Sequence, residues 1–154
     1  MRVRSRTELA VPPEEAWKHL LDWERQAEWM RDADRVAVVS GHREGVGVTI
    51  AVKTRVLGLP LFTERLEVVV WEPPRRLVLA HRSFVRGQGE WRLDPADGRA
   101  GTRFTWTEEL ALGPPVLGPI LLACYRPFMA WLMRGSLENL RRRLGGAPPS
   151  SRPA

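Results

Sequence analysis

The sequence predicts an α+β domain: an antiparallel sheet with one long C-terminal helix lying against it. Three observations predict it. Residues 110–133 carry a single charge, Arg126, and from residue 134 the segment turns amphipathic, with Met129, Met133, Leu137, Leu140 and Leu144 on one face. Between residues 36 and 110 the hydrophobic period is two, broken by hairpin-length turns. Ahead of those strands stands one more strand and a proline-led helix start.

Residues 2–11 alternate loosely, with Val3, Leu9 and Val11 apolar, and form the first strand. Pro12 and Pro13 followed by Glu14 and Glu15 begin a short helix, since proline suits a first helical position and acids suit the positive end of the dipole. Trp17, Leu20 and Leu21 are its buried face. Asp22 caps a second short helix through Met30, and residues 32–34 break it. Trp17, Trp23 and Trp29 on these helices are expected in the core.

The strands then follow at 36–40, 46–56, 61–71, 76–84, 90–93 and 102–110, with turns at 41–45, 57–60, 72–75, 86–89 and 94–101. Strands joined so tightly are antiparallel. The inward rows are Val48, Ile50, Val52 and Val56; Leu66, Val68 and Val70; Leu77, Leu79 and His81; Trp91 and Leu93; Phe104, Trp106 and Glu108. The last helix is expected to be enclosed, because its first half is apolar nearly all round. Gly145 and Gly146 stop it after three arginines suited to the negative end of the dipole.

At 154 residues the chain is one domain, over 1–146, with a proline- and serine-rich tail at 147–154 expected to be disordered. The only cysteine, Cys124, excludes an internal disulfide and is expected as a buried thiol without activation. Residues 110–133 are long enough to span a bilayer, but Pro114, Pro115, Pro119, Pro127 and Arg126 argue for a core helix instead. With no apolar leader at the N-terminus, the expected location is cytoplasmic. Net charge is +6, yet only Lys18 and Lys53 of the 24 basic residues are lysines, and the arginines are scattered. A specific nucleic-acid site wants a concentrated stripe with interleaved aromatics, so none is expected. His19, His42 and His81 lack ligand-like spacing, so no metal is expected, and no cofactor motif occurs.

The sequence resembles the SRPBCC superfamily, also called START or birch-pollen-allergen-like, in its bacterial polyketide cyclase/dehydratase and lipid-transport branch. The resemblance is carried by Val11-Pro12-Pro13-Glu14-Glu15-Ala16-Trp17, Asp22, Trp29, Glu72-Pro73-Pro74-Arg75-Arg76-Leu77, Gly89-Glu90-Trp91-Arg92-Leu93 and Gly101-Thr102-Arg103-Phe104-Thr105-Trp106-Thr107. It implies a helix-grip fold, a seven-stranded antiparallel sheet curved around the C-terminal helix, with a cavity between them. It implies a small apolar ligand there, such as a lipid, quinone or polyketide, and in a minority of members an enzyme.

The residues expected to line such a cavity are Ile50, Val52, Leu66, Val68, Leu79, His81, Trp91, Phe104 and Trp106 from the sheet, and Leu121, Tyr125, Phe128 and Leu132 from the helix. Residues 57–62 and 114–119 would form its mouth. Glu64, His81 and Glu108 are the candidates for acid–base work, since a carboxylate in an apolar wall holds its proton more tightly. The plainer reading puts both glutamates at strand ends in water. The expected function is a carrier or sensor of a small hydrophobic molecule. The alternatives are a metal-free cyclase/dehydratase using the same trio, and a partner or peripheral membrane module with residues 110–122 exposed. A monomer or a homodimer would serve each of these.

Overall fold

The computed structural model describes residues 1–56, 59–83, 85–97, 100–111 and 117–145. In chain order it contains β1 (Arg2–Leu9), α1 (Pro13–Leu20), a 3-10 helix (Trp23–Glu28), β2 (Ala33–Val38), β3 (Thr49–Val56), β4 (Leu59–Glu72), β5 (Arg76–Arg82), β6 (Arg86–Pro95), β7 (Thr102–Ala111) and α2 (Leu117–Arg143). The expected tail at 147–154 lies outside the described residues.

The seven strands form one antiparallel sheet in the order β1-β7-β6-β5-β4-β3-β2. Each hairpin neighbour is a sequence neighbour except β1, which joins β7 with Arg2 opposite Glu109 and Leu9 opposite Thr102. The arrangement is the helix-grip fold, with α2 as the gripped helix.

α2 packs chiefly across β1 and to a lesser degree on β7. Its second half supplies the buried stripe Met129, Met133, Leu137 and Leu140. That half is also clasped by the end of the 3-10 helix and the segment after it. Arg31 N–H donates to Ser136 Oγ at 2.9 Å, Asn139 Nδ2 donates to the Trp29 carbonyl at 3.2 Å, and Arg143 pairs with Glu28. Among the described residues the first half makes no comparable hydrogen bond or ion pair to the rest of the molecule. Ile120 and Leu121 in that half, and Trp131 beyond Pro127, stand exposed, which corrects the expectation of an enclosed helix. Cys124 is likewise exposed, not buried. A helix laid on one face of a sheet leaves its other side in water, however apolar its sequence.

Three further departures come from backbone detail. β4 carries a bulge between Val68 and Val70, so the expected inward row shifts: Trp71 instead of Val70 joins the core, edge to face with Trp17 at 5.4 Å. β6 begins at Arg86, not at Glu90, so residues 86–89 are strand rather than turn. Its glycines are strand residues because neighbours crowd them. A Cβ on Gly87, whose φ is 140°, would lie 1.9 Å from the Glu109 carbonyl oxygen. β4 likewise starts at Leu59, within the turn expected at 57–60.

A carboxylate–imidazole–carboxylate site in an apolar cavity

Between the sheet and the first half of α2 lies a cavity of about 670 Å³, within the range that encloses small-molecule ligands. Ile50 and Val52 of β3, Leu66 of β4, Leu79 of β5, Trp91 of β6 and Trp106 of β7 line it, as expected from strand alternation. So do Leu121 and Tyr125 of α2. Four expected residues lie elsewhere. Val68 and Phe104 are wholly buried beneath the sheet's inner face, the latter edge to face with Trp91 at 6.0 Å. Phe128 packs between Tyr125 and Trp131, and Leu132 is buried outside the cavity. The helix is turned so that Leu122 and Met129 face the cavity in their place. Phe62 reaches the cavity from the expected mouth, while residues 57–58 and 112–116 lie outside the described residues.

The polar end of the cavity is assembled from three strands. Glu64 on β4, His81 on β5 and Glu108 on β7 come together on the inner face. His81 Nδ1 donates to Glu64 Oε1 at 2.7 Å, and Nε2 donates to Glu108 Oε2 at 3.1 Å. The Trp106 indole N–H donates to Glu108 Oε1 at 2.6 Å, which fixes the carboxylate from its other side. Glu108 is buried and Glu64 nearly so, not placed in water at strand ends.

β5 and β7 are not neighbours; β6 runs between them. His81 meets Glu108 because β6 presents no side chain there. Gly87 is opposite His81 and Gly89 is opposite Glu108. A Cβ on Gly89 would stand 2.6 Å from Glu108 Oε1. The Glu108 side chain therefore reaches over β6 through the space this glycine leaves.

Burial by itself would lower the His81 pKa, and it is the largest single influence. The hydrogen bonds to Glu108 and Glu64, with their charges, together outweigh it and push the pKa up to about 10. The ring is an imidazolium at neutral pH, with both N–H groups committed.

Asp32, which precedes β2, is a cavity residue that pattern reading missed. It stands where a helix ends, and acids at such places are ordinarily breakers in solvent. Here its backbone carbonyl accepts from Arg55 N–H at 2.7 Å, tying it to the start of the β2–β3 pairing. Burial pushes its carboxyl up to about 6, and the charges of Glu108 and Glu64 add to that. Tyr125 is pushed up to about 12, first by burial and then by the Asp32 and Glu64 charges, so its hydroxyl stays protonated. No cluster of metal-ligating side chains occurs among the described residues.

Comparison with known proteins agrees with this architecture. The family model for polyketide cyclase/dehydrase and lipid transport matches residues 1–145. The chain belongs to that family. Uncharacterized proteins of Mycobacterium tuberculosis and Mycobacterium bovis are 28% identical to this polyketide cyclase/dehydrase and lipid transport family member over 144 residues, covering 90% of this chain and 81% of theirs. Among solved structures, a Thermus thermophilus protein superposes with a TM-score of 0.75 at 22% identity, covering 94% of this chain and 97% of its own. A START superfamily protein from Mycobacterium smegmatis gives 0.75 at 12% identity, with the same coverage. The ZhuI aromatase/cyclase from a Streptomyces species gives 0.67 at 21%, covering 96% and 99%. At these identities the likeness is one of fold.

Proposed function

We propose that this protein binds a small, largely apolar molecule between sheet and helix, as a carrier or sensor. The observation that supports this most is the cavity itself, whose wall is mostly apolar, with Asp32, Glu64, His81, Glu108 and several neutral polar side chains among its lining. Removing apolar surface from water would drive entry, at about 25 cal/mol per Å² before the costs of association. The half of α2 that covers the cavity is the half held least firmly, which gives a ligand a way in. Native mass spectrometry of the purified protein, followed by solvent extraction, tests the reading: a bound apolar molecule is expected. Delipidated protein that takes up no apolar probe, Nile red included, would sink it.

A second reading, favoured by the Glu64–His81–Glu108 contact, is an enzyme that closes or dehydrates a polyketide-like substrate. Its roles differ from those the sequence suggested. An imidazolium with both protons committed is an acid, so His81 is not the base. Asp32, at about 6, is the better-matched base, and the Tyr125 hydroxyl is a donor for a developing enolate oxygen. Turnover of an aromatic polyketide surrogate that survives Asp32→Asn and a His81→Ala, Glu108→Gln double change would rule these roles out.

A further inference from the structure

We propose that the ligand is a lipophilic amine: a molecule apolar along its body whose ammonium group seats against Glu64, Glu108 and Asp32. This rests on the cavity being a binding site and specifies what that site selects.

The first reason is a mismatch of charge. The chain carries 24 basic residues and a net charge of +6. Among the described residues, no lysine or arginine lines the cavity. Its charged residues are three acids and one histidine. A protein rich in arginine has placed none against its ligand space, and has placed carboxylates there instead.

The second reason is the state of the donors. An anionic ligand would need N–H groups to receive it. The His81 imidazolium donates both of its N–H groups in hydrogen bonds to Glu64 and Glu108, and the Trp106 indole N–H donates to Glu108. The Gln26 amide donates to the Leu20 carbonyl at 2.7 Å. Hydroxyls remain on Tyr125 and on threonines of the wall, but these donate or accept with equal ease. A fatty acid would therefore bring a fourth carboxylate into a site whose described residues offer no free cation.

The third reason is the excess of acids over bases among the cavity's side chains. Two glutamates share one imidazolium, and Asp32 adds a further acid with no side-chain partner among its described hydrogen bonds and ion pairs. Excess negative charge in an apolar wall is costly unless something pairs with it. An ammonium supplies both the missing charge and up to three donors.

The test compares three probes of one chain length: dodecylamine, dodecanol and dodecanoate, each displacing Nile red from the whole delipidated protein near neutral pH. The amine is expected to bind at least about tenfold more tightly than the alcohol, and the acid least tightly, as a charge pair at about 6 Å in a partly shielded site implies. Non-specific attraction to a protein of net charge +6 would give the opposite order, so the ranking is diagnostic. Asp32→Asn, which alters no hydrogen bond of the His81 cluster, should narrow the amine-to-acid ratio several-fold. An amine that binds no better than the alcohol, or an acid that binds best, overturns the inference and leaves the apolar-ligand reading standing. Failure of Nile red and all three probes overturns both.

Discussion

Gly89 decides whether the polar site exists. Any side chain there meets the Glu108 carboxyl, since a Cβ would lie 2.6 Å from Oε1. The atom it meets is the far end of a flexible chain, so a Gly89→Ala protein should fold, losing less than about 2 kcal/mol as one charge-assisted hydrogen bond is weakened. The electrostatic effect should be larger than the stability effect. With Glu108 pushed aside, His81 keeps its burial and loses the first of its two carboxylate bonds, so its pKa should fall from about 10 toward the ordinary imidazole value. A pH titration of the His81 ring by NMR checks this; an unchanged titration would mean that Glu108 reaches the ring by another route. At this scale the sequence was partly readable. Alternation put Glu64, His81 and Glu108 on the inner face, which is enough to suggest that they meet. It could not show that Gly87 and Gly89 are the reason, because a glycine read singly signals a turn, and its role here depends on a strand that pairs with it from elsewhere in the chain. Asp32 was hidden for the same reason: as sequence it breaks a helix, and only the packing of β2 turns it toward the cavity.

α2 is two elements in one. Its second half is anchored by Met133, Leu137 and Leu140 and by the clasp of Arg31, Trp29 and Glu28 on its Ser136, Asn139 and Arg143. Its first half roofs the cavity, and Pro127 separates the two, removing a backbone donor inside the helix. The two should answer differently to truncation. Met133→Ala empties a fully buried site and should cost about 3 kcal/mol in urea denaturation. Ile120→Ala, at an exposed position, should stay within about 0.5 kcal/mol. Amide exchange in the first half should be faster than in the second by native-state hydrogen exchange, and uniform protection along the helix would contradict this division. The sequence showed the buried stripe of the second half well, since a 3.6-residue period over charged neighbours has one solution. It misled for the first half. Where every face is apolar, the period carries no phase, so it does not separate Phe128 and Leu132, which lie outside the cavity, from Leu122 and Met129, which line it, nor show that Cys124 is exposed.

Across the whole molecule, the titrating groups lean to the acid side. The His81 pKa is raised in the folded state, from 6.5 to about 10, so its stabilising contribution is full below 6.5 and is lost as pH rises through 10. Asp32 is raised too, from 3.8 to about 6, so it favours the folded state most below 3.8 and less as pH rises through 6. Glu138 runs the other way: held at about 2 by Arg141 and Arg142, it contributes above 4.5 and less as pH falls through 2, but it is exposed and its effect is small. Stability measured by urea midpoints should therefore peak on the acid side of neutrality and decline toward pH 10. His81→Ala should flatten the alkaline limb, and Asp32→Asn the limb between 4 and 6. A wild-type profile that is level from 5 to 10 would show that the two shifts are not realised. The sheet order, by contrast, needed no structure to foresee its hairpins, since each short turn dictates an antiparallel neighbour.

Only one strand pairing in the sheet joins strands far apart in sequence. β1 lies beside β7, with Arg2 opposite Glu109, and α2 rests on β1. During synthesis, the five strands from β2 to β6 can zip up pair by pair as they emerge. β1 has no partner until some hundred residues later, and the helix that covers it is made later still. An early strand left waiting is an open edge for that whole interval, and a late closing step over so long a loop is slow. The nascent chain is thus most exposed to faulty association just before α2 leaves the ribosome, and expression conditions that slow or chaperone those last thirty residues should recover the most folded protein.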